Sequence, residues 1–185
     1  IEITRRAMQG EKVNFDGKYY SCNAFRMPFK TSGRKIPIYL AGFGPQMCRL
    51  AGAITDGVLV NMANPTEVRR IVGEVRQGAQ EAGKDPASME FLVQVRCSVA
   101  PDRTAAREAL SRVLTFYSLA DFYRELLGRM GFAEEVDAMR AAWKASGFHA
   151  ARALISDRLF NSVPMIPATS VAEVRERLQP YIDAG

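Results

Sequence analysis

Apolar residues along this chain follow two repeats, one near 3.6 residues and one near 2, and the two alternate. Residues 1–10 place Ile3, Ala7 and Met8 between polar positions and stop at Gly10, which reads as the tail of a helix. Residues 11–35 are turn-rich, with Asp16-Gly17, Pro28 and Ser32-Gly33; Tyr19 and Tyr20 suggest a short extended piece. Ile36-Pro-Ile-Tyr-Leu-Ala41 is a short apolar run, read as a buried strand whose early proline suits a strand start. Gly42-Phe-Gly-Pro45 is a glycine turn, and Pro45 fits the first position of a helix. Gln46 to Ile54 predicts that helix, with Met47, Leu50, Ala51 and Ile54 on one face, and Val58-Leu-Val-Asn61 predicts a second buried strand.

Asn64-Pro-Thr-Glu67 carries a helix start, with Asn64 as cap and Glu67 able to reach back. Val68, Ile71, Val72, Val75 and Ala79 follow at helical spacing, and Gly83 ends the helix. Phe91 to Val99 predicts a third strand, with Phe91, Val93, Val95, Cys97 and Val99 on one face and Leu92, Gln94, Arg96 and Ser98 on the other. Asp102 caps a helix running to about Tyr117, and a helical, weakly periodic stretch continues through Trp143 and His149 to Leu159. Ser170-Val-Ala-Glu173 is a second capping box, opening a last helix with Val174, Leu178 and Tyr181 inward. Short apolar strands alternating with amphipathic helices predict an α/β fold with a parallel sheet. The chain opens in mid-helix and ends where another strand would follow, so the expectation is one segment, residues 1–185, of a larger barrel or sheet.

Charge changes this picture little. The formal excess of five positive charges sits in residues 1–35, where eight Lys/Arg face three Asp/Glu; the remaining 150 residues are balanced. Those cations are spread through a loop-like stretch and follow no nucleic-acid motif, which argues against a nucleic-acid partner. They suit a solvated lead-in or a surface for an anionic ligand. One histidine and three scattered cysteines argue against a metal site and a disulfide framework. With no long apolar span and no secretory leader, a cytoplasmic protein away from membranes is expected.

The strongest chemical signal is the strand, Ala41-Gly-Phe-Gly-Pro45, helix passage. Amides at a helix N-terminus attract an anion, and glycines let a phosphate approach the backbone. The same glycines also suit a tight turn with no ligand. Arg96 points to a ligand anion or to an ion pair at a barrel rim, and the ion pair is the plainer reading. Cys48 and Cys97 read as small core residues, and His149 as a surface or helix-end group. Trp143 and Phe148 suit either a lid or an ordinary packing or dimer face.

Arg5-Arg-Ala-Met-Gln-Gly-Glu11, Asp16-Gly-Lys-Tyr-Tyr20, Ile36 to Pro45, Leu50-Ala-Gly-Ala-Ile-Thr-Asp-Gly57, Pro167 to Leu178 and Tyr181 to Gly185 occur in that order. As a set they resemble the luciferase-like family of flavin- or coenzyme F420-dependent oxidoreductases, which act on small-molecule substrates. The resemblance implies a partial TIM (β/α)8 barrel: about strands five to seven with their helices, and a helical insertion over 119–160 before strand eight. The first four strands and the eighth would be missing. It implies that the Ala41–Pro45 turn holds the phosphate of FMN or F420, with Ala41, Gly42, Phe43, Gly44 and Gln46 around it and Asn61 near the same cofactor. Pro45 has no N–H, so Phe43, Gly44 and Gln46 are the expected donors. Ring and substrate contacts would lie largely on the first four strands, so no catalytic residue is assigned and the chain alone is expected to be inactive. The rival reading is a non-catalytic phosphate-ligand or partner-binding module of the same fold. Homo-oligomerisation is compatible with either.

Overall fold

The computed structural model describes residues 1–29, 31 and 34–185. The Ser32-Gly33 turn lies outside the described residues. Helix α1 (Glu2–Met8) ends at Gly10, whose φ of +83° suits glycine. Strands β1 (Val13–Asp16) and β2 (Ser21–Phe25) form an antiparallel hairpin, and Tyr19 and Tyr20 are the exposed tip of its turn.

Three parallel strands follow: β3 (Tyr39–Ala41), β4 (Gly57–Asn61) and β5 (Glu90–Gln94), hydrogen-bonded in that order. Ala41 lies opposite Leu59, and Leu59 opposite Leu92. Helix α2 (Pro45–Ile54) joins β3 to β4, and α3 (Pro65–Glu81) joins β4 to β5. The two helices touch backbone to backbone. A Cβ on Gly52 would stand 2.0 Å from the Val75 carbonyl oxygen, and one on Gly78 2.1 Å from that of Arg49. This close approach turns Cys48, Ala51 and Gly52 inward and leaves Met47, Leu50 and Ile54 largely exposed. Of the apolar face read for α2, only Ala51 is buried.

The predicted strand over 91–99 is two pieces. β5 ends at Gln94, Val95 intervenes, and β6 (Arg96–Val99) pairs with a different partner, β7 (Met165–Ala168). The facing pattern shifts at Val95, so Cys97 is exposed instead of lying in the core. β7 is a parallel strand that periodicity did not predict, because Pro164 and Pro167 break the apolar run. Within the described residues it pairs on one side only, with β6, where a proline without an N–H is tolerated.

Between β6 and β7 run α4 (Arg103–Leu119), α5 (Asp121–Leu127), a wider π-type turn at Gly128–Phe132, α6 (Ala133–Ser146), α7 (Phe148–Ala153) and α8 (Asp157–Asn161). The last helix is α9 (Val171–Ile182). The caps fall where the sequence places them. Asn64, Asp102 and Ser170 side chains accept from the amides of Glu67, Ala105 and Glu173.

Burial of the sheet is one-sided. Val58 and Val60 are wholly buried in one cluster with Cys48, Ala51, Ile71 and Val75. Leu59 and Leu92, on the opposite face, remain 38% and 42% exposed. The strands read as buried are thus buried on their helix side alone.

Candidate functional site at the C-terminal ends of the strands

The site is built where β3 and β4 finish. Ala41 is the exposed last residue of β3, Gly42 and Phe43 are buried, Gly44 is half-buried and Gln46 is exposed. Gly44 is the N-cap of α2, with φ −69° and ψ 147°, and no side chain caps the helix. Pro45 occupies the first helical position, and no acidic residue lies in the first turn. Among the described residues the amides of Phe43, Gly44 and Gln46 donate to no acceptor, while the Cys48 amide takes the Gly44 carbonyl at 2.9 Å. The positive end of the α2 dipole is therefore uncompensated.

Nothing stands within 4 Å of where a Gly44 Cβ would be, and the backbone there is ordinary for any residue. Neither strain nor packing within these residues explains this glycine. Gly42 differs, because its Cβ would meet Met47 at 3.1 Å.

Arg70 of α3 braces the turn from outside. Its Nη2 donates to the Phe43 carbonyl at 2.7 Å, its Nε and Nη2 pair with Glu67, and its Nη1 is buried with no partner among the described residues. Cys48 lies beneath the turn, its Sγ 3.9 Å from the Gly42 carbonyl; burial pushes that thiol above its ordinary value, so it stays protonated.

Asn61, at the end of β4, is held at both ends of its amide. Its Nδ2 donates to the Tyr123 hydroxyl at 2.9 Å, and its Oδ1 accepts from Arg96 Nη1 at 2.9 Å. Arg96 also donates to the Tyr117 hydroxyl and lies 4.6 Å from that ring's centre. Tyr123 packs edge-on to Tyr117 at 4.5 Å between centroids, and 6.1 Å from Phe43. Phe122 completes this aromatic bridge, 5.0 Å from Phe43. The glycine turn, Asn61 and Arg96 thus form one region, joined by α4 and α5. The next residue, Met62, is buried with φ +57°, a left-handed conformation that swings the chain sharply off the strand.

The ion pair expected for Arg96 is not formed among the described residues: its recorded partners are neutral oxygens. Arg70, Tyr117 and Tyr123 were not singled out from the sequence. Arg70 falls on the charged face of an amphipathic helix, and the tyrosines sit in the stretch with the weakest periodicity. His149 is exposed in α7, its ring 6.0 Å from that of Phe148, as the surface reading expects. Trp143, Phe148 and Phe116 form a separate aromatic group. No cluster of metal-ligating side chains occurs among the described residues, and no helix there is long and apolar enough to cross a membrane.

A cavity of about 640 Å³ lies at the other end of the strands, lined by Arg5, Arg26, Arg34, Lys35, Ile38 and Asp56 among others. Arg5 and Lys35 already pair with Asp56 there, and Asp56 also accepts from the Ile38 amide. Parallel α/β folds bind ligands at the opposite rim, where the unpaired amides are.

A family model described as luciferase-like monooxygenase matches residues 1–185. The chain belongs to that family. A 5,10-methylenetetrahydromethanopterin reductase of Archaeoglobus fulgidus is 32% identical over 143 residues, covering 77% of this chain and 42% of the relative. An F420-dependent glucose-6-phosphate dehydrogenase of Gordonia bronchialis is 29% identical over 110 residues, covering 58% of this chain and 32% of the relative. The solved structure of the coenzyme F420 dependent tetrahydromethanopterin reductase from Methanopyrus kandleri superposes with a TM-score of 0.81 at 25% identity, over all of this chain and 53% of that one. The chain spans about half the length, or less, of these relatives.

Proposed function

We propose that these residues form part of a TIM-barrel oxidoreductase that uses F420 or FMN on a small-molecule substrate, and that the Ala41–Pro45 turn binds the cofactor phosphate. They correspond to about the fifth to seventh strands of the barrel, with residues 119–160 as a helical insertion. One observation carries the reading: the unpaired amides of Phe43, Gly44 and Gln46 surround an uncapped helix start, beneath open space over Gly44. That arrangement fits a phosphate; Arg70, its charge paired with Glu67, braces the turn from behind through the Phe43 carbonyl. F420 is favoured over FMN, since the Gordonia relative is an F420-dependent dehydrogenase and the Methanopyrus structure is of a coenzyme F420 dependent reductase. The cofactor would supply the hydride chemistry, and this part of the protein holds and orients it. Asn61 is fixed by Tyr123 and Arg96 and lies beside the same rim. No catalytic residue is assigned to this chain.

The test is fluorescence titration of the complete gene product with F420 and with FMN. Gly44→Asp, which puts a carboxylate where the phosphate would sit, is expected to weaken binding at least about tenfold without lowering the unfolding temperature. Failure of both cofactors to bind, or an unchanged affinity in the variant, ends this reading. Cofactor binding without turnover of any reduced donor would favour the non-catalytic module instead.

A further inference from the structure

We propose that Arg96 forms a second anion site, separate from the glycine turn, which receives a carboxylate or phosphate group of the substrate. The inference deepens the oxidoreductase reading and rests on it for the word substrate.

Arg96 is half-buried, yet no carboxylate pairs with it among the described residues. The contrast with other arginines is direct. Arg70 is paired with Glu67, Arg124 with Asp137 and Arg140 with Asp121. A partly desolvated positive charge held only by neutral oxygens is an unbalanced arrangement. Its neighbours position it without neutralising it. Asn61 Oδ1 fixes Nη1, the Tyr117 hydroxyl fixes Nη2, and the Tyr117 ring lies under the guanidinium. Asn61 is itself held by Tyr123. A guanidinium fixed in this way keeps further N–H groups for an incoming oxyanion, which its planar fork matches.

Arg96 is placed to meet a ligand. Asn61 lies opposite Gln94, and Arg96 reaches Asn61 from just beyond that pair. Asn61 shares its face of β4 with the exposed Leu59, across the strand from the buried Val58 and Val60. The guanidinium therefore sits at the C-terminal rim, on the open side of the sheet. It is linked to the glycine turn through Tyr123 and Phe43. Two positive features on one rim, one of backbone amides and one a guanidinium, suit a cofactor phosphate and a separate anionic substrate group.

The experiment uses the complete gene product and two probes, inorganic phosphate and acetate, to tell phosphate from carboxylate preference. In a Gly44→Asp background, where the turn is closed to anions, calorimetric titration should still detect binding of one probe. Adding Arg96→Met should weaken it at least about tenfold, the loss expected for one charge-assisted contact. Arg96→Lys should retain part of that affinity. Alone, Arg96→Met should weaken F420 or FMN binding far less than Gly44→Asp does, because it only loosens Asn61 and leaves the turn amides in place. A wild-type measurement covers the case in which the methionine variant does not fold: phenylglyoxal labelling of Arg96, followed by mass spectrometry, should slow when the bound probe is present. Unchanged probe affinity in the double variant, unprotected labelling, or a cofactor loss in Arg96→Met as large as that in Gly44→Asp overturns the proposal. Failure of both cofactors to bind while the probe still protects Arg96 would count against the oxidoreductase reading and leave the anion site standing.

Discussion

The two ends of the parallel sheet treat their polar groups differently. Where the strands begin, Asp56 accepts from the Ile38 amide at 2.9 Å and pairs with Lys35 at 2.7 Å, with Arg5 farther off at 3.8 Å. Lys84 donates to the Gly52 carbonyl at 2.8 Å and to that of Thr55, closing the C-terminus of α2. Tyr39 donates to Glu90, and that hydrogen bond holds its phenol above the ordinary value. Where the strands end, amides of the turn have no acceptor among the described residues, Arg70 keeps a buried unpartnered nitrogen, and Arg96 has no counter-charge there. A buried polar group without a partner costs stability, so the orphaned Arg70 nitrogen and the half-buried Arg96 without a counter-charge need a reason that the fold alone does not give. A bound anion supplies one, and the rim held by Asp56 and Lys84 is then the end that serves folding.

The largest effect that would sharpen this contrast belongs to Lys84. Burial pulls its ammonium below the ordinary value, yet it still holds two carbonyls at the end of α2. Lys84→Met removes a charged donor and leaves those oxygens unmet, at a cost of about 2 kcal/mol. Thermal unfolding should show the loss, and cofactor affinity should not move. A change in affinity as large as that in stability would erase the distinction between the rims.

Asp56 gives a smaller effect with a pH signature. Burial on its own would raise this carboxyl, but the Lys35 contact, the Ile38 amide and the Arg5 charge outweigh it and hold the group below its ordinary value. A carboxylate depressed in the fold stabilises above the unfolded value and loses that contribution as pH falls through the folded one. Wild type should therefore exceed Asp56→Asn by about 1 kcal/mol at neutral pH. The gap should close as the pH falls below the ordinary carboxylate range. Denaturant unfolding across that range checks it; a gap that widens in acid would mean that the ion pairs are not what Asp56 contributes.

How much of this was legible depended on whether the determining physics was local. The cap of α3 needs only Asn64 and Glu67, and the glycine turn needs only residues 41–46, so short-range chemistry announced both. The face that α2 buries depends on how closely α3 approaches, through Gly52 and Gly78, and glycines carry no apolar signal. β7 was hidden because its prolines suggest a break, whereas its one-sided pairing tolerates them. The split at Val95 arises from a change of partner strand, which alternation along one strand does not encode. Tyr117, Tyr123 and Arg70 join the site from distant positions, so no spacing rule connects them to Asn61 or Phe43.

The smallest effect is also the most discriminating, because its sign is unusual. Gly44 caps α2 with a backbone that L residues adopt freely, and space for a side chain is open. Serine is a better cap than glycine: its hydroxyl accepts from the second or third helical amide, here Gln46 or Met47. It also reduces the freedom of the unfolded chain. If the turn were there only to fold, Gly44→Ser would be a plain improvement of about 0.5 kcal/mol. That stabilisation is expected in thermal unfolding. The same hydroxyl, however, takes an amide that the phosphate needs and stands in the space it would fill. Cofactor affinity should therefore fall while stability rises, as befits a position kept suboptimal for folding because it serves binding. A variant that is both more stable and equally able to bind would show that the bare turn is a folding feature and would remove the difference between the two rims.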